Sequence, residues 1–147
     1  MTVEAIITAD AISDIVHSRD NELLNALANG FESGVVKYYS LEADTIFEND
    51  DLVAAWMNDY RATARVNRNR KYVEHAAFIG DQFAEQGHSV DDIPDVDIEI
   101  AAVAYEKEAM LVFAADAHHS ISRNDICKAI SVPTAHFTEF FAQDAEG

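Results

Sequence analysis

The sequence predicts an α/β fold: a three-layer αβα sandwich around a central, mainly parallel sheet of about four strands. Two observations predict it. Short apolar runs of β-compatible residues alternate with segments whose apolar residues recur at helical spacing. That alternation favours parallel strands joined by helical crossovers, which cover both faces of the sheet. The 147 residues, 49% of them hydrophobic, suffice for one buried core and are few for two, so residues 1–147 read as a single domain. No internal repeat, low-complexity tract or Gly/Ser/Pro linker divides the chain, and Pro94 and Pro133 are its two prolines.

Residues 3–9 are apolar apart from Glu4 and make a first strand, which runs directly into a helix where Ala11, Ile12 and Ile15 share a face. Asp20 can cap a second helix through Leu23, Leu24 and Leu27, with Asn29-Gly30 as its stop. Residues 35–39 read as the second strand. Ser40 is placed to cap a short helix through Phe47, and Asp50-Asp51 to start a longer one carrying Leu52, Val53 and Trp56 inward. From residue 72 to 83, Val73, Ala76, Ala77 and Phe83 follow a helical stripe that ends near Gly87, and residues 88–94 read as loop. A helix over 96–107 buries Ile98, Ala101, Ala102 and Tyr105 and leads into an apolar strand over 110–114. Ser122 caps a helix over 123–130, residues 134–137 make the last strand, and residues 138–142 close the chain as a helix. Trp56, Phe78, Phe83 and Phe113 read as core.

Charge narrows the function classes. With 27 Asp and Glu against 10 Lys and Arg, the formal net charge is −17, a surface that repels phosphate backbones and fits a salt-rich cytoplasm. Half of the basic residues, namely Arg61, Arg65, Arg68, Arg70 and Lys71, fall within residues 61–71. This segment is the candidate contact for RNA, with Tyr60 and Tyr72 beside it for stacking; its plainer reading is a solvated helix end that balances an acidic protein locally. No apolar run reaches the roughly 18 residues of a membrane span, and no basic region precedes the short apolar start, so a cytoplasmic protein without membrane contact is expected. The single cysteine, Cys127, excludes an internal disulfide and a multi-thiolate zinc site, and reads as a small buried residue. None of the five glycines forms a phosphate-binding loop pattern, which argues against a nucleotide-binding fold.

In open parallel sheets ligands bind beyond the carboxyl ends of the strands. Acids stand at those ends here: Asp10 and Asp14 after the first strand, Asp44 and Glu48 after the second, Asp97 opening the helix before the third, and Asp116 directly after it. Carboxylates that converge need a counter-charge, and Mg²⁺ or Mn²⁺ is the natural partner; such a cleft supports metal-assisted phosphodiester hydrolysis. An acidic protein also scatters carboxylates as solvated surface and helix caps. His118 and His119 follow Asp116 as a metal ligand or general acid, or as loop surface.

The stretch 97–104, opened by Asp97 and rich in small apolar residues, and the stretch 110–116, ending in Asp116, resemble the third and fourth acidic motifs of PIN nuclease domains. Ala114 stands where that family has Thr or Ser. Residues 124–133 with Phe140-Phe141, and residues 50–56, resemble a bacterial and archaeal PIN-like subgroup, so the resemblance covers most of the chain. It implies a Mg²⁺- or Mn²⁺-dependent ribonuclease, possible as a toxin-type homodimer beside a small antitoxin. It makes Asp97 and Asp116 metal ligands. The first two motifs depart from the pattern: Thr8 stands where the family has its first Asp and Thr45 where it has a Glu. Sliding the frame to put Asp10 at the first place would bury Ser13 and Asp14. Asp10 is therefore the expected third ligand, and Asp44 or Glu48 the acid completing the catalytic set of Asp97, Asp116, Asp10 and Asp44. Loss of two ligands leaves open a catalytically inactive PIN-like module that binds a protein or nucleic acid, and, further off, an acidic mimic of nucleic acid.

Overall fold

A computed structural model describes residues 2–146 except Asp92 and residues 117–121, with side chains described as far as residue 142. Among the described residues, strands β1 (Ala5–Ile7), β2 (Val36–Tyr39), β3 (Arg65–Val66), β4 (Met110–Phe113) and β5 (Thr134–His136) form one sheet in the order β3-β2-β1-β4-β5. Every pairing is parallel, with Ile6 opposite Lys37 on one side and Leu111 on the other. One strand more is present than the sequence predicts. β3 has two residues, too few to show any periodicity.

Alternation along the strands divides the core into two. Ala5 and Ile7, Val36 and Tyr38, and Val112 face one layer, where helices α1 (Ala9–Ser18), α2 (Asn21–Ser33), α3 (Ser40–Asn49), α4 (Asp51–Met57) and α9 (Phe137–Glu146) contribute Ile12, Ile15, Leu27, Phe31, Phe47, Val53 and Phe141. Ile6, Tyr39 and Leu111 face the other, against α6 (Arg70–Glu85), α7 (Asp95–Glu106) and α8 (Arg123–Ala129), which contribute Tyr72, Ile79, Ile100 and Ile126. The short α5 (Arg61–Ala64) leads into β3. This is the predicted three-layer arrangement. Among the described residues no helix is long and apolar enough to cross a membrane.

Several local expectations are corrected. Gly30 does not stop α2, which continues to Ser33 and ends at Gly34 with φ 81°. Gly30 is instead a close-approach residue: a Cβ there would meet Val36 Cγ2 at 2.6 Å, so the helix lies against β2 only because that side chain is missing. Ser40 does not cap α3 but begins it; its buried hydroxyl accepts from the Arg68 N–H at 3.1 Å and ties down the loop after β3. Asp50, in contrast, caps α4 through Val53 N as expected, and Ser122 starts α8 with a full capping box to Asp125. Leu52, Val73, Phe78 and Tyr105 are exposed, whereas Tyr72, Ala76 and Ile79 form the buried stripe of α6. Tyr72 carries the burial that the sequence pattern assigns to Val73, and Ala77 is exposed as well.

Candidate functional site

The strand order reverses between β1 and β4: from β1 the chain moves outward through β2 to β3, then returns to the other side with β4 and β5. The cleft of an open α/β sheet lies at that reversal, beyond the strand ends. Thr8 closes β1 there, donating its backbone N–H to Val112 O at 2.9 Å, and caps α1 by accepting from Ala11 N. The Thr8 side chain is fully buried and donates to Asp10 Oδ1. The other oxygen of Asp10 accepts from Ala115 N at 2.8 Å, so the Asp10 carboxylate spans from the first turn of α1 to the segment after β4. Asp116, one residue further, accepts from Asn124 N at 3.3 Å at the start of α8.

Glu42 was not among the residues expected from the sequence. It lies in the first turn of α3 with its side chain 12% exposed, and Oε1 accepts from Ala9 N at 2.6 Å. Burial pushes its carboxyl up to about 8 from an ordinary value near 4.5; Asp10 and Asp97 push in the same direction, and the Ala9 N–H and Arg123 oppose them. The usable signal was position: Glu42 is three residues past Tyr39, the last residue of β2, closer to the sheet edge than Asp44 or Glu48.

Cys127, fully buried, has its thiol pushed up to about 12, chiefly by burial, with Arg123 opposing and Asp116 and Asp97 adding to the rise. Asp97 and Arg123 thus act on both Glu42 and Cys127. Asp10, Glu42, Asp97 and Asp116 therefore share one electrostatic neighbourhood although they come from four separate segments. A thiol held protonated at this depth is inert, as the plain reading of Cys127 predicts.

Asp44 lies outside this neighbourhood in its contacts: its carboxylate pairs with Arg65 at 2.7 Å. Thr45 and Glu48 are exposed. His118 and His119 lie outside the described residues. The basic segment is drawn into local partnerships. Arg65 takes Asp44, Arg68 takes Glu99, Arg70 takes Glu74, Lys71 takes Glu106, and Arg61 stands over the Phe47 ring at 5.0 Å.

The acids offer oxygen donors alone, which suits a hard divalent cation such as Mg²⁺ or Mn²⁺ in kind. Their spacing is wider than such an ion needs, since among the described residues no three His, Cys, Asp or Glu side chains come close enough to hold one. A buried arginine stands among them. Arg123 is 7% exposed, donates from Nη2 to Ala115 O at 2.7 Å, and holds Nη1 3.8 Å from Glu42 Oε2.

No family model and no curated protein matches the chain. Solved structures do. The chain is similar to a structure of DNA-bound VapBC from Salmonella typhimurium, a PIN-domain toxin–antitoxin complex, with TM-score 0.66 and 8% identity over 92% of this chain and 99% of that one. It is also similar to PAE2754 from Pyrobaculum aerophilum, with TM-score 0.60 and 13% identity over 100% of both. At such identities the likeness is one of architecture, and it agrees with the all-parallel sheet and its flanking helices: the chain has a PIN-like fold.

Proposed function

We propose that the chain is a PIN-like, Mg²⁺- or Mn²⁺-dependent ribonuclease. One observation carries this reading: carboxylates of α1 and α3 meet the backbone where the strand order reverses, and burial, with Asp10 and Asp97 adding to it, pushes that of Glu42 up to about 8. A cluster of that kind stabilises a cation more than it stabilises itself. To hold the ion, Asp10, Asp97 and Asp116, with Glu42 in the place of Asp44, would have to draw closer together than they stand here. When bound, the ion supplies Lewis-acid polarisation of a phosphodiester and an activated water. The chain's own residues do the positioning. Thr8 and Ala115 fix both oxygens of Asp10, and the first turn of α8 fixes Asp116. Ordering of this kind, set up before substrate arrives, lowers the reorganisation needed during reaction.

An RNA strand would approach over the basic segment. Arg70 and Lys71 keep side-chain exposures of 91% and 66%, and surface pairs of their type are worth only about 0–1 kcal/mol, so a phosphate can take the place of the carboxylate partner. Arg61 and Arg65 are exposed as well. Arg68 is committed to the buried Glu99 and belongs to the frame of this surface. The VapBC neighbour supports a small antitoxin-type protein as partner.

The test pairs metal binding with cleavage. Mn²⁺ should raise the melting temperature of the wild type, and a mixed-sequence RNA should be cut by the wild type and spared by Asp116→Asn and Asp10→Asn. A melting temperature indifferent to Mn²⁺, together with RNA left intact, would replace the nuclease with the second reading, an inactive PIN-like binding module. The spacing of the carboxylates and the arginine among them favour that alternative.

A further inference from the structure

Helices α7 and α8 end beside each other and in the same way. At the end of α7 the Ala109 N–H donates to Ala104 O at 2.9 Å and the Glu108 N–H to Tyr105 O at 3.1 Å; at the end of α8 the Val132 N–H donates to Cys127 O at 2.8 Å and the Ser131 N–H to Lys128 O at 3.2 Å. This pair of bonds closes a helix through one left-handed residue, usually glycine because a Cβ is disfavoured there. Glu108 with φ 53° and Ser131 with φ 63° hold the two positions, and they are two of the three non-glycine residues with positive φ among the described residues. Glycine would close both helices more easily. Neither the Glu108 carboxylate nor the Ser131 hydroxyl has a hydrogen-bond or ion-pair partner among the described residues, so no contact within the fold explains why these side chains stand there.

Both residues line one open cavity of about 490 Å³, within the size range of small-molecule sites. It lies where β4 and β5 begin, at the end of the sheet opposite to Thr8 and Asp116. Ala109, Ile130, Val132 and Pro133 give it an apolar lining, and Tyr105, 49% exposed, adds an aromatic ring held edge-on to His75 at 5.1 Å. Its charged lining residues are Glu106 and Glu108, and the carboxyl ends of the two helices add partial negative charge. Glu106 is already engaged, by Lys71 at 3.0 Å and by His75 at 2.9 Å. One carboxylate is left over. A divalent metal needs more oxygen ligands than that, and an anion is repelled. An organic monocation with an apolar stem matches the charge, the ring and the lining together.

We propose that this cavity binds an alkylguanidinium: the Glu108 carboxylate takes the guanidinium, the Tyr105 ring takes its flat face, and the apolar lining takes the methylene stem. A guanidinium suits these groups better than an ammonium, because it is planar, pairs with a carboxylate through two N–H groups and stacks on aromatic faces. The site is separate from the acidic residues beyond the strand ends and does not depend on the nuclease reading. It also gives the two strained helix ends a reason: glycine at 108 would relieve the backbone and remove the only free carboxylate lining the cavity.

The experiment is calorimetric titration of the full chain with two probes: agmatine, a free alkylguanidinium, and N-acetyl-arginine amide, which presents the same group as a protein would. Saturable binding of either supports the site, and the tighter of the two names the source. N-acetyl-citrulline amide, similar in shape but uncharged, should bind at least roughly tenfold more weakly than its arginine counterpart, and Glu108→Gln should lose at least roughly tenfold for either cation. Tyr105→Leu should lose about two- to fivefold. Glu108→Gly should melt at a higher temperature than wild type while losing the probe. Neither probe bound, or citrulline amide bound as well as arginine amide, would overturn the proposal, and so would a Glu108→Gly variant less stable than wild type, which would tie that side chain to the fold. A measurement on the wild type alone covers variants that fail to fold: agmatine should shift the Tyr105 ring resonances and leave those of buried Tyr38 unmoved, and Tyr105 resonances unmoved at saturation would equally overturn the site.

Discussion

A carboxyl group whose proton affinity rises on folding makes the fold weaker as pH increases, and Glu42 is such a group. Burial, with Asp10 and Asp97 nearby, lifts it from near 4.5 to about 8. Below pH 4.5 the folded and unfolded chains both keep the proton, so the group costs nothing. Between about 4.5 and 8 the unfolded chain gives it up while the folded chain does not, and stability falls; above 8 the slope from this residue ends. The loss over that window is of order 2–4 kcal/mol. Urea unfolding of metal-free protein at several pH values should therefore show Glu42→Gln gaining that much on the wild type between pH 5 and pH 8. A difference independent of pH would mean that the carboxyl titrates at its ordinary value. The spacing from Ser40 to Trp56 points to Asp44 and Thr45 and passes over Glu42, because the face that α3 turns inward is decided by packing against α1. The place of Asp10 in the first turn of α1 is legible because the apolar spacing of Ala11, Ile12 and Ile15 leaves it one position relative to the core.

At the scale of elements, the loop after β3 is fastened to the sheet and to α7 by one buried carboxylate. Glu99, 3% exposed, accepts from Tyr39 Oη at 2.7 Å and from Arg68, while Ser40 holds the Arg68 backbone. Burial and the Glu99 bond together push the Tyr39 phenol well above its ordinary value. The two ends of the ion pair differ in exposure: the Arg68 side chain is 49% exposed and the Glu99 side chain 4%. Arg68→Ala leaves a buried carboxylate with Tyr39 as its partner among the described residues and should be the more destabilising of the two changes. Glu99→Ala lets Arg68 return to water, leaves Tyr39 Oη unpaired, and should cost about 1–3 kcal/mol. Denaturant melts of both variants test the order, and Glu99→Ala proving the more costly would sink this account. None of the network was visible in the sequence, since Glu99 read as one position in an apolar helix and Arg68 as one charge in a basic run. What was visible was set locally: the caps Asp20, Asp50 and Ser122 and the apolar strands. Missed features depend on distant neighbours, as with Gly30, whose lack of a Cβ matters only once β2 lies against α2.

Over the whole molecule, a net charge of −17 sets carboxylates against one another, and the basic segment offsets only its own vicinity. Raising ionic strength from 0.1 M to 1 M shortens the screening length from about 10 Å to about 3 Å, which weakens that repulsion in the folded state more than in the expanded chain. Salt also weakens attractive pairs. Those exposed to it, Arg65–Asp44, Arg70–Glu74 and Lys71–Glu106, contribute about 0–1 kcal/mol each, while Arg68–Glu99 and Arg123–Glu42 each have a carboxylate largely shielded from solvent. The repulsive sum is therefore the larger quantity, and the melting temperature of metal-free protein should rise with KCl over this range. The rise should shrink near pH 4.5, where many carboxylates are partly protonated and the net charge falls. A melting temperature that stays flat or drops with KCl at pH 7 would show that local ion pairs outweigh the overall field. The same field opposes the approach of RNA, so salt acts on any cleavage in two directions: it screens the molecule's general repulsion and it weakens the contacts of Arg70 and Lys71 with phosphate. Cleavage that rises with KCl before it falls is the pattern expected when general repulsion dominates at low salt, whereas a steady decline from the lowest salt would assign control to the basic segment.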